Sequence, residues 1–234
     1  MRVHRVYLKR LEPGEVALSG AEAHHLAVVL RVQPGAPVRA FDGRGLEASG
    51  VVGRLEEGRV VLELDPPEPS ALEAARRLTL AVALLKGDKL ADVVRQGTEL
   101  GAVAFWPFRS ERGEVPFLSE AKLARLRRVA QEAAKQSGRS FVPEVAPAVA
   151  LAELPLPGLA LVAQPGASLN VREAVPAEAL ELTLVSGPEG GLSEAEVEAL
   201  RLRGARAVRL GARILRAETA PLALAAALLV PEAL

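Results

Sequence analysis

Apolar residues in the second part of the chain form short runs separated by helical patterns. The runs are too short for helices and end at turn residues, so they predict buried strands: LTLAVALL (78–85), AVAFW (102–106), LALVA (159–163), LTLVS (182–186) and AVRL (207–210). Apolar positions three and four apart predict helices over 88–101 and 119–137. Strands that alternate with helices indicate an α/β domain whose mainly parallel sheet is covered on both faces.

The first part of the chain has a different pattern, of short strands and tight turns. Residues 38–52 predict two strands around an Asp42-Gly43 turn, and residues 59–65 predict a third strand. The stretch DPPEPS at 65–70 is a linker candidate, because consecutive prolines cannot continue a helix or a central strand. The pattern therefore predicts two domains: a small, mainly β barrel over 1–68 and the α/β domain over 72–234.

Composition narrows the chemistry of the protein. The chain of 234 residues has no cysteine, which excludes disulfides, thiolate catalysis and cysteine-ligated metal sites. It has three histidines, so we expect no histidine-rich metal site. The formal net charge is zero, which argues against a protein that coats nucleic acid non-specifically but allows local basic surfaces.

The longest apolar segment covers residues 217–230. It contains Glu218 and Pro221 and is rich in alanine, so it predicts a buried helix and not a membrane span. The first residues, MRVHRVYLKR, have no apolar signal region. We expect a soluble, cytoplasmic protein with no membrane partner.

The stretch LVSGPEGGLSEAEV (184–197) places three glycines and a proline between a strand and a helix. Ser193 followed by Glu196 forms a capping box that fixes the helix start. The loop lacks the spacing of a Walker A or a Rossmann motif. Its glycines allow a ligand to approach the backbone closely, or they only relieve strain in a tight connection.

A second polar loop, RLGARILRAETA (209–220), also follows a predicted strand and precedes an almost wholly apolar helix. A helix that is apolar on every side must be buried, here against its own core and a second subunit. Arg216 and Glu218 before it are either site residues or an ion pair at the helix end.

GPEGGLS (187–193) and LGARILRAETA (210–220) together resemble the signature of the SPOUT methyltransferases, and most closely the ribosomal RNA small-subunit methyltransferase E family. The other segments that are similar, in the same order, are AHHLAVVLRVQPG (23–35), FDG (41–43), KGDKLADVVRQGTELGA (86–102), FRSER (108–112) and EAAKQSGRSFVPEV (132–145). The resemblance implies a PUA-like β barrel followed by a SPOUT domain with a C-terminal trefoil knot. It also implies a homodimer that methylates N3 of one uridine in 16S rRNA with S-adenosyl-L-methionine.

The resemblance further implies that three loops bind the cofactor, largely through backbone groups. The residues that it assigns to cofactor binding are Ala163, Gln164, Pro165, Gly187, Pro188, Glu189, Gly190, Gly191, Leu210, Gly211, Ile214, Leu215 and Thr219. Removal of the N3 proton needs a base or a stabiliser of the developing anion. Arg216 is the candidate stabiliser, and the candidate base or orienting residue is Glu189 or Glu218, between which the sequence does not choose.

Basic residues outside these loops are the candidates for RNA binding. They are Arg2, Arg5, Arg10, Arg31, Arg109 and Arg112. Few aromatic side chains are available for base stacking, so we expect phosphate and shape contacts to dominate. The expected substrate is 16S rRNA, within a small subunit or a late precursor. Two alternatives stay open: a SPOUT enzyme that acts elsewhere, for instance on a ribose 2′-hydroxyl, and an RNA-binding assembly factor without catalysis.

Overall fold

The computed structural model describes residues 3–230. The chain divides into two compact units. The first unit runs to Glu73 and also includes Ala134–Val142, and the second contains Ala74–Ala133 and the residues from Pro143 onwards. The inclusion of Ala134–Val142 in the first unit was not indicated by the sequence pattern.

The first unit is built on a six-stranded sheet. Its elements, in chain order, are β1 (His4–Tyr7), β2 (Gly14–Ser19), α1 (Gly20–His24), a π-helical turn (His25–Val29), β3 (Pro37–Phe41), β4 (Leu46–Glu56), β5 (Arg59–Leu64) and β6 (Glu68–Pro69). The strand order is β1-β3-β4-β5-β2, with β6 also paired to β4. The β1–β3 pair is parallel and the other pairs are antiparallel.

The three strands predicted for this unit are confirmed as β3, β4 and β5. The turn between β3 and β4 is held by Asp42, whose Oδ1 accepts hydrogen bonds from the N–H groups of Arg44 and Leu46. The proline-rich stretch is not a free linker, because Glu68–Pro69 pairs with β4. A proline is tolerated there because the pairing is only two residues long and at the end of a strand.

A charge network holds the segment 139–141 against the strands of the first unit. Glu73 accepts hydrogen bonds from the Arg139 guanidinium and from the Ser140 N–H. Ser140 Oγ donates to Glu47, which is buried and also paired with Arg5 at 3.7 Å. Arg5 donates in turn to the Arg139 carbonyl oxygen at 2.9 Å. These long-range contacts explain why the segment belongs to this unit.

The second unit is an α/β domain with a parallel sheet, as predicted. Its elements are β7 (Arg77–Ala83), α2 (Lys89–Leu100), β8 (Ala104–Arg109), α3 (Glu120–Ser137, whose last turn belongs to the first unit), β9 (Glu144–Val145), β10 (Val149–Ala150), a 3₁₀ turn (Leu151–Glu153), β11 (Leu159–Ala163), β12 (Leu169–Asn170), α4 (Val171–Ala174), β13 (Glu181–Ser186), α5 (Glu194–Leu202), β14 (Arg206–Arg209) and α6 (Thr219–Leu229). The strand order is β10-β8-β7-β13-β11-β14-β12, and β9 pairs with β8.

Both faces of this sheet are buried, as the apolar runs predicted. Alternate residues of β7 lie in different core clusters: Leu78 and Leu80 pack with α2 and α6, whereas Ala81 and Ala83 pack in the cluster that contains Leu200 of α5. The sequence of a strand that is covered on both faces reads as a continuous apolar run, because neither set of side chains meets water.

Candidate cofactor site

Three loops leave the carboxyl ends of three neighbouring parallel strands. The strands β13, β11 and β14 lie side by side in the sheet, so the loops that follow them converge at one edge. Ligands of open α/β sheets bind at this edge. The loops enclose a cavity of about 540 Å³, a volume within the range of small-molecule sites.

Most of the residues predicted to bind the cofactor lie together at this cavity. Those that line it are Ala163, Gln164, Pro165, Gly187, Pro188, Glu189, Gly190, Gly191, Ile214 and Leu215. Leu210 and Gly211 line a smaller adjoining cavity of about 50 Å³. Thr219 begins α6, and its N–H donates to the Arg216 carbonyl oxygen at 2.9 Å. The assignment of these residues to cofactor binding stays a prediction.

The three glycines of the 187–191 loop have different structural roles. Gly191 has a φ of 71°, which a residue with a side chain rarely adopts. A Cβ at Gly187 would lie 2.9 Å from the backbone nitrogen of Leu192, and a Cβ at Gly190 would lie 3.2 Å from the Arg112 carbonyl oxygen. The loop is therefore a tight connection, and it also presents its backbone to the cavity.

The predicted capping box is present and has an additional role. The Ser193 side chain accepts from the Glu196 N–H, and the Glu196 side chain accepts from the Ser193 N–H. The Glu196 carboxylate also accepts hydrogen bonds from Ser110 Oγ and from the Glu111 N–H. One carboxylate thus fixes both the start of α5 and the loop after β8.

A charged cluster forms part of the cavity wall. Lys89 Nζ donates to Glu189 Oε1 at 2.8 Å and lies 3.5 Å from Glu218 Oε2. Burial by itself would raise the pKa of Glu189, but hydrogen bonds from Lys89 and from backbone N–H groups lower it on balance. The hydrogen bond to Glu189 raises the pKa of Lys89. Lys89 and Glu189 are therefore both charged at neutral pH.

Comparison with known proteins identifies the family. The RNA methyltransferase domain family matches residues 72–229, and the RNA methyltransferase PUA domain family matches residues 18–65. The ribosomal RNA small subunit methyltransferase E of Bacillus subtilis (strain 168) is 33% identical over 220 residues, which cover 88% of this chain and 86% of that protein. The chain belongs to the ribosomal RNA small subunit methyltransferase E family.

Further members of the family agree in sequence and in fold. The Synechocystis enzyme is 34% identical over 214 residues, which cover 88% of this chain and 70% of that protein. The Neisseria gonorrhoeae enzyme, solved bound to S-adenosyl methionine, is 32% identical, with a TM-score of 0.89 and 97% of each chain covered. A Legionella pneumophila structure in complex with the cofactor SAM is 28% identical, with a TM-score of 0.85 and the same coverage. The fold is thus a SPOUT-type α/β domain with a PUA-like domain.

Arg216 lies on the wall of the cavity with its side chain exposed. Its carbonyl oxygen accepts from the N–H groups of Thr219 and Ala220, which fixes the backbone where α6 begins. The sequence allowed an ion pair between Arg216 and Glu218 as an alternative. That alternative is wrong, because within residues 3–230 the cation paired with Glu218 is Lys89.

The candidate RNA-binding residues of the N-terminal sequence fall into three groups. Arg2 lies outside the described residues. Arg5 is mostly buried, with 16% of its side chain exposed, and it joins the charge network of the first unit. Arg10 and Arg31 are exposed on the same unit, Arg10 beside Glu12 and Arg31 with a φ of 50°. The buried position of Arg5 favours a structural role over contact with RNA.

Arg109 and Arg112 are exposed on the second unit. Arg109 ends β8, and Arg112 lies in the following loop, which Glu196 holds. The Arg112 backbone packs against Gly190, which is part of the cavity wall. Of the candidate RNA-binding residues, Arg112 is thus the one with a contact to a cofactor loop within residues 3–230.

The sequence pattern does not single out Lys89 as a site residue. A lysine in a helical segment ordinarily indicates a solvated surface, and the partners of Lys89 lie far along the chain, in the loops that precede α5 and α6. One signal was present in the sequence. Lys89 is the first residue of α2, where the helix dipole disfavours a cation. Local rules are broken most often at functional sites.

The residues of the cavity fit S-adenosylmethionine. Exposed loop backbone can bind its polar groups, and the space around the Gly191 Cα is open, with no atom within 4 Å of an added Cβ. Two carboxylates, Glu189 and Glu218, line the cavity and can face a cationic sulfonium. No group of three or more His, Cys, Asp or Glu side chains that could hold a metal ion occurs in residues 3–230. None of the helices described for this stretch is long and apolar enough to cross a membrane.

Proposed function

We propose that this protein methylates N3 of a specific uridine in the 16S rRNA of the small ribosomal subunit, with S-adenosyl-L-methionine as the methyl donor. The convergence of the three loops on one cavity supports this function most directly. Membership in the ribosomal RNA small subunit methyltransferase E family supports the rRNA of the small subunit as the substrate. The trefoil knot that the resemblance implies is part of the same proposal.

When bound, the cofactor supplies a methyl group that is activated by a positively charged sulfur. The protein contributes position and charge. In this proposal, backbone groups of the 163–165, 187–191 and 210–215 loops hold the cofactor, because those loops line the two cavities. The Arg216 guanidinium stabilises negative charge that develops on the uracil ring when N3 loses its proton.

RNA docking involves both units in this proposal. Arg109 and Arg112 bind phosphates near the target nucleotide, because both are exposed and the Arg112 backbone packs against Gly190 of a cofactor loop. Arg10 and Arg31 contribute contacts from the PUA-like unit, on which they are exposed. We place the reaction in the cytoplasm, on a small subunit or a late precursor of it.

A second copy of the chain covers α6 in the proposed homodimer. The helix is apolar on every side, and Leu224 and Leu228 are buried in the core of their own unit. Ala223 and Ala226 lie elsewhere on the helix and are only half-buried. We expect Ala223→Glu to give a folded monomer by light scattering, with the exposed Ala195→Glu on α5 as a control that stays dimeric. A folded dimer from Ala223→Glu would contradict this arrangement.

The deciding experiment maps the modified nucleotide. Small subunits from cells that lack the protein are incubated with the purified enzyme and methyl-labelled cofactor, and the rRNA is analysed by mass spectrometry. We expect one N3-methyluridine in 16S rRNA. A methylated ribose would identify a SPOUT enzyme with another target. Cofactor-independent RNA binding without any methylation would indicate an assembly factor.

A further inference from the structure

Lys89 occupies a position that helix electrostatics does not explain. It is the first residue of α2, where the dipole favours anions. Asp88 before it makes no capping hydrogen bond and pairs with Arg125 instead. The partners of Lys89 come from other loops: Glu189 at 2.8 Å and Glu218 at 3.5 Å. This lysine is held in place by the cavity wall and not by its own helix.

The two glutamates that flank Lys89 differ in how their oxygens are used. Glu189 Oε1 accepts hydrogen bonds from Lys89 Nζ and, at 3.4 Å, from the Lys86 N–H. Glu218 Oε2 is buried, contacts Lys89 only as an ion pair, and has no hydrogen-bond partner within residues 3–230. Glu218 is also the residue before α6, yet its side chain does not cap that helix. The Glu218 side chain as a whole is 22% exposed at the cavity, so a substrate can reach the carboxylate on the side that does not face Lys89.

We infer that Lys89 is a positioning residue that gives the two carboxylates different roles. Its ammonium fixes Glu189 as an anchor of the loop and orients Glu218, which becomes the base that takes the N3 proton of the uridine. The inference rests on the proposed function. It adds two points: that Glu218 is the base, which the sequence left open, and that Lys89 acts by positioning Glu218.

Proton transfer and methyl transfer together balance in atoms and electrons. The N3–H bond of the uracil breaks, and its proton moves to a carboxylate oxygen of Glu218. The electron pair left on N3 forms the new bond to the methyl carbon, and the electron pair of the methyl–sulfur bond stays on sulfur. Glu218 then releases its proton to water, since 22% of its side chain is exposed.

The charges around Glu218 make this division possible. The charged side chains that line the cavity with it are Lys89 from α2, Glu189 from the loop after β13 and Arg216 from its own loop. Two neighbouring carboxylates without a cation would suppress each other's ionisation. Lys89 lies between the two carboxylates, and its shorter contact to Glu189 leaves Glu218 less engaged.

The first test compares Glu218→Gln with Glu189→Gln, two variants that remove one charge each and keep the side-chain shape. In single-turnover methylation, we expect Glu218→Gln to lose about 100-fold or more in rate, the usual effect of removing an acid–base group. It should also lose the decline of the rate at acidic pH that a base produces. Glu189→Gln should keep that decline and lose less rate. Affinity for S-adenosylhomocysteine, measured by calorimetry, should be kept by Glu218→Gln.

The second test examines Lys89 in the free enzyme. Lys89→Met is compared with Arg95→Met, which removes an exposed ion pair with Asp92 from the same helix. Carboxyl NMR titration should show that the pKa of Glu189 rises in Lys89→Met, because its main hydrogen-bond donor is gone, and is unchanged in Arg95→Met.

The methylation rate gives a second readout for the same variants. Lys89→Met should lose up to about 100-fold in rate, because the base is misplaced. Lys89→Arg, which restores a cation, should recover part of that rate. Thermal melting confirms that each variant is folded, and Lys89→Gln replaces Lys89→Met if it is not.

The outcomes separate this inference from the proposed function. A wild-type enzyme that forms no N3-methyluridine overturns the proposed function itself. If the wild type is active, either of two results shows that Glu218 is not the base. One is full turnover by Glu218→Gln. The other is that Glu189→Gln, and not Glu218→Gln, loses the decline of the methylation rate at acidic pH. An unchanged Glu189 titration in Lys89→Met removes Lys89 from its positioning role.

Discussion

The two units of this protein each contain a cluster of arginine or lysine with glutamate, and the clusters are built differently. In the PUA-like unit, Glu47 is buried, accepts hydrogen bonds from Arg39 and Ser140, and forms an ion pair with Arg5. In the SPOUT unit, Lys89 joins two glutamates whose side chains are 22–29% exposed, and one of their oxygens makes no hydrogen bond within residues 3–230.

The difference follows from what each cluster does. A buried charge is tolerated when hydrogen bonds surround it, and such a network specifies one packing arrangement. A catalytic cluster must instead keep unused lone pairs and access to a ligand. In the first unit both oxygens of Glu47 accept hydrogen bonds, as suits a structural role, although Arg5 Nε beside it has no hydrogen-bond partner within residues 3–230. In the second unit it is a carboxylate, Glu218, that keeps an oxygen without a hydrogen bond, as suits the base that we propose.

The largest effect that we predict is on catalysis. Arg216→Ala should reduce single-turnover methylation by about 100- to 1,000-fold, the typical cost of removing one group that stabilises developing negative charge. RNA and S-adenosylhomocysteine should still bind. Arg201→Ala, which removes an exposed arginine of α5 paired with Glu198, is the control and should stay active. Full turnover by Arg216→Ala would exclude this arginine from the chemistry.

The next effect is on stability, in the other cluster. Glu47→Gln should destabilise the first unit by roughly 3 kcal/mol, because it removes the carboxylate paired with the mostly buried Arg5. Glu15→Gln, at an exposed ion pair with Arg54, should change stability by less than about 1 kcal/mol. Urea unfolding can be followed separately in each unit, since the chain has one tyrosine, Tyr7, and one tryptophan, Trp106. Equal stability of the two variants would show that the network does not stabilise the unit.

The same cluster predicts a pH dependence of stability. Burial by itself would raise the pKa of Glu47, but hydrogen bonds from Ser140 and Arg39 lower it on balance. A carboxylate with a lowered pKa in the folded state contributes stability above its unfolded value of about 4.3, and this contribution is lost as the pH falls through the folded value. The free energy of unfolding of the first unit, followed through Tyr7, should therefore fall below about pH 4.3 in the wild type, and should fall less steeply in Glu47→Gln. Parallel curves would contradict the prediction.

A smaller effect is expected at the cofactor loop. Gly190→Val should cost about 1–3 kcal/mol, because the new side chain meets the Arg112 backbone. The displaced loop should weaken S-adenosylhomocysteine binding in calorimetry, whereas Ala195→Val at an exposed position of α5 should not. Unchanged affinity in a folded Gly190→Val would remove this loop from the site.

The smallest effect concerns RNA and separates exposed from buried arginines. Arg109→Ala with Arg112→Ala should lower the slope of log affinity against log salt by roughly 0.7–0.9 for each phosphate that the protein no longer neutralises. Arg5→Ala should lower stability and leave the slope unchanged, because Arg5 lies inside the first unit's network. A slope that falls in Arg5→Ala alone would restore Arg5 as an RNA-binding residue.

Local patterns predicted the strands and the loops well. The apolar runs 159–163 and 182–186 match β11 and β13 within one residue, because buried parallel strands need continuous apolar sequence. The capping box was readable since its two residues are three apart. The assignment of the three loops to one site came from the family resemblance. The fold brings them together because each follows a strand, and the ends of parallel strands share an edge.

The sequence could not show contacts between distant residues. Nothing local indicates that Glu73 and Arg139 pair, or that Lys89 meets Glu189 and Glu218. For the same reason, Arg5 looked like one of several surface arginines near the N-terminus. Whether a charged side chain is structural, catalytic or free to bind RNA depends on partners that only the fold brings together.

The carboxylate of Glu196 has a consequence for exchanging parts between relatives. It holds the 187–193 loop through Ser193 and the loop after β8 through Ser110 and Glu111. Glu196 and Ser110 are 86 residues apart in sequence, yet this one side chain fastens the two loops together. A chimera that takes the 187–193 loop from another family member must therefore take residues 109–113 from the same parent. The two segments have to be exchanged together.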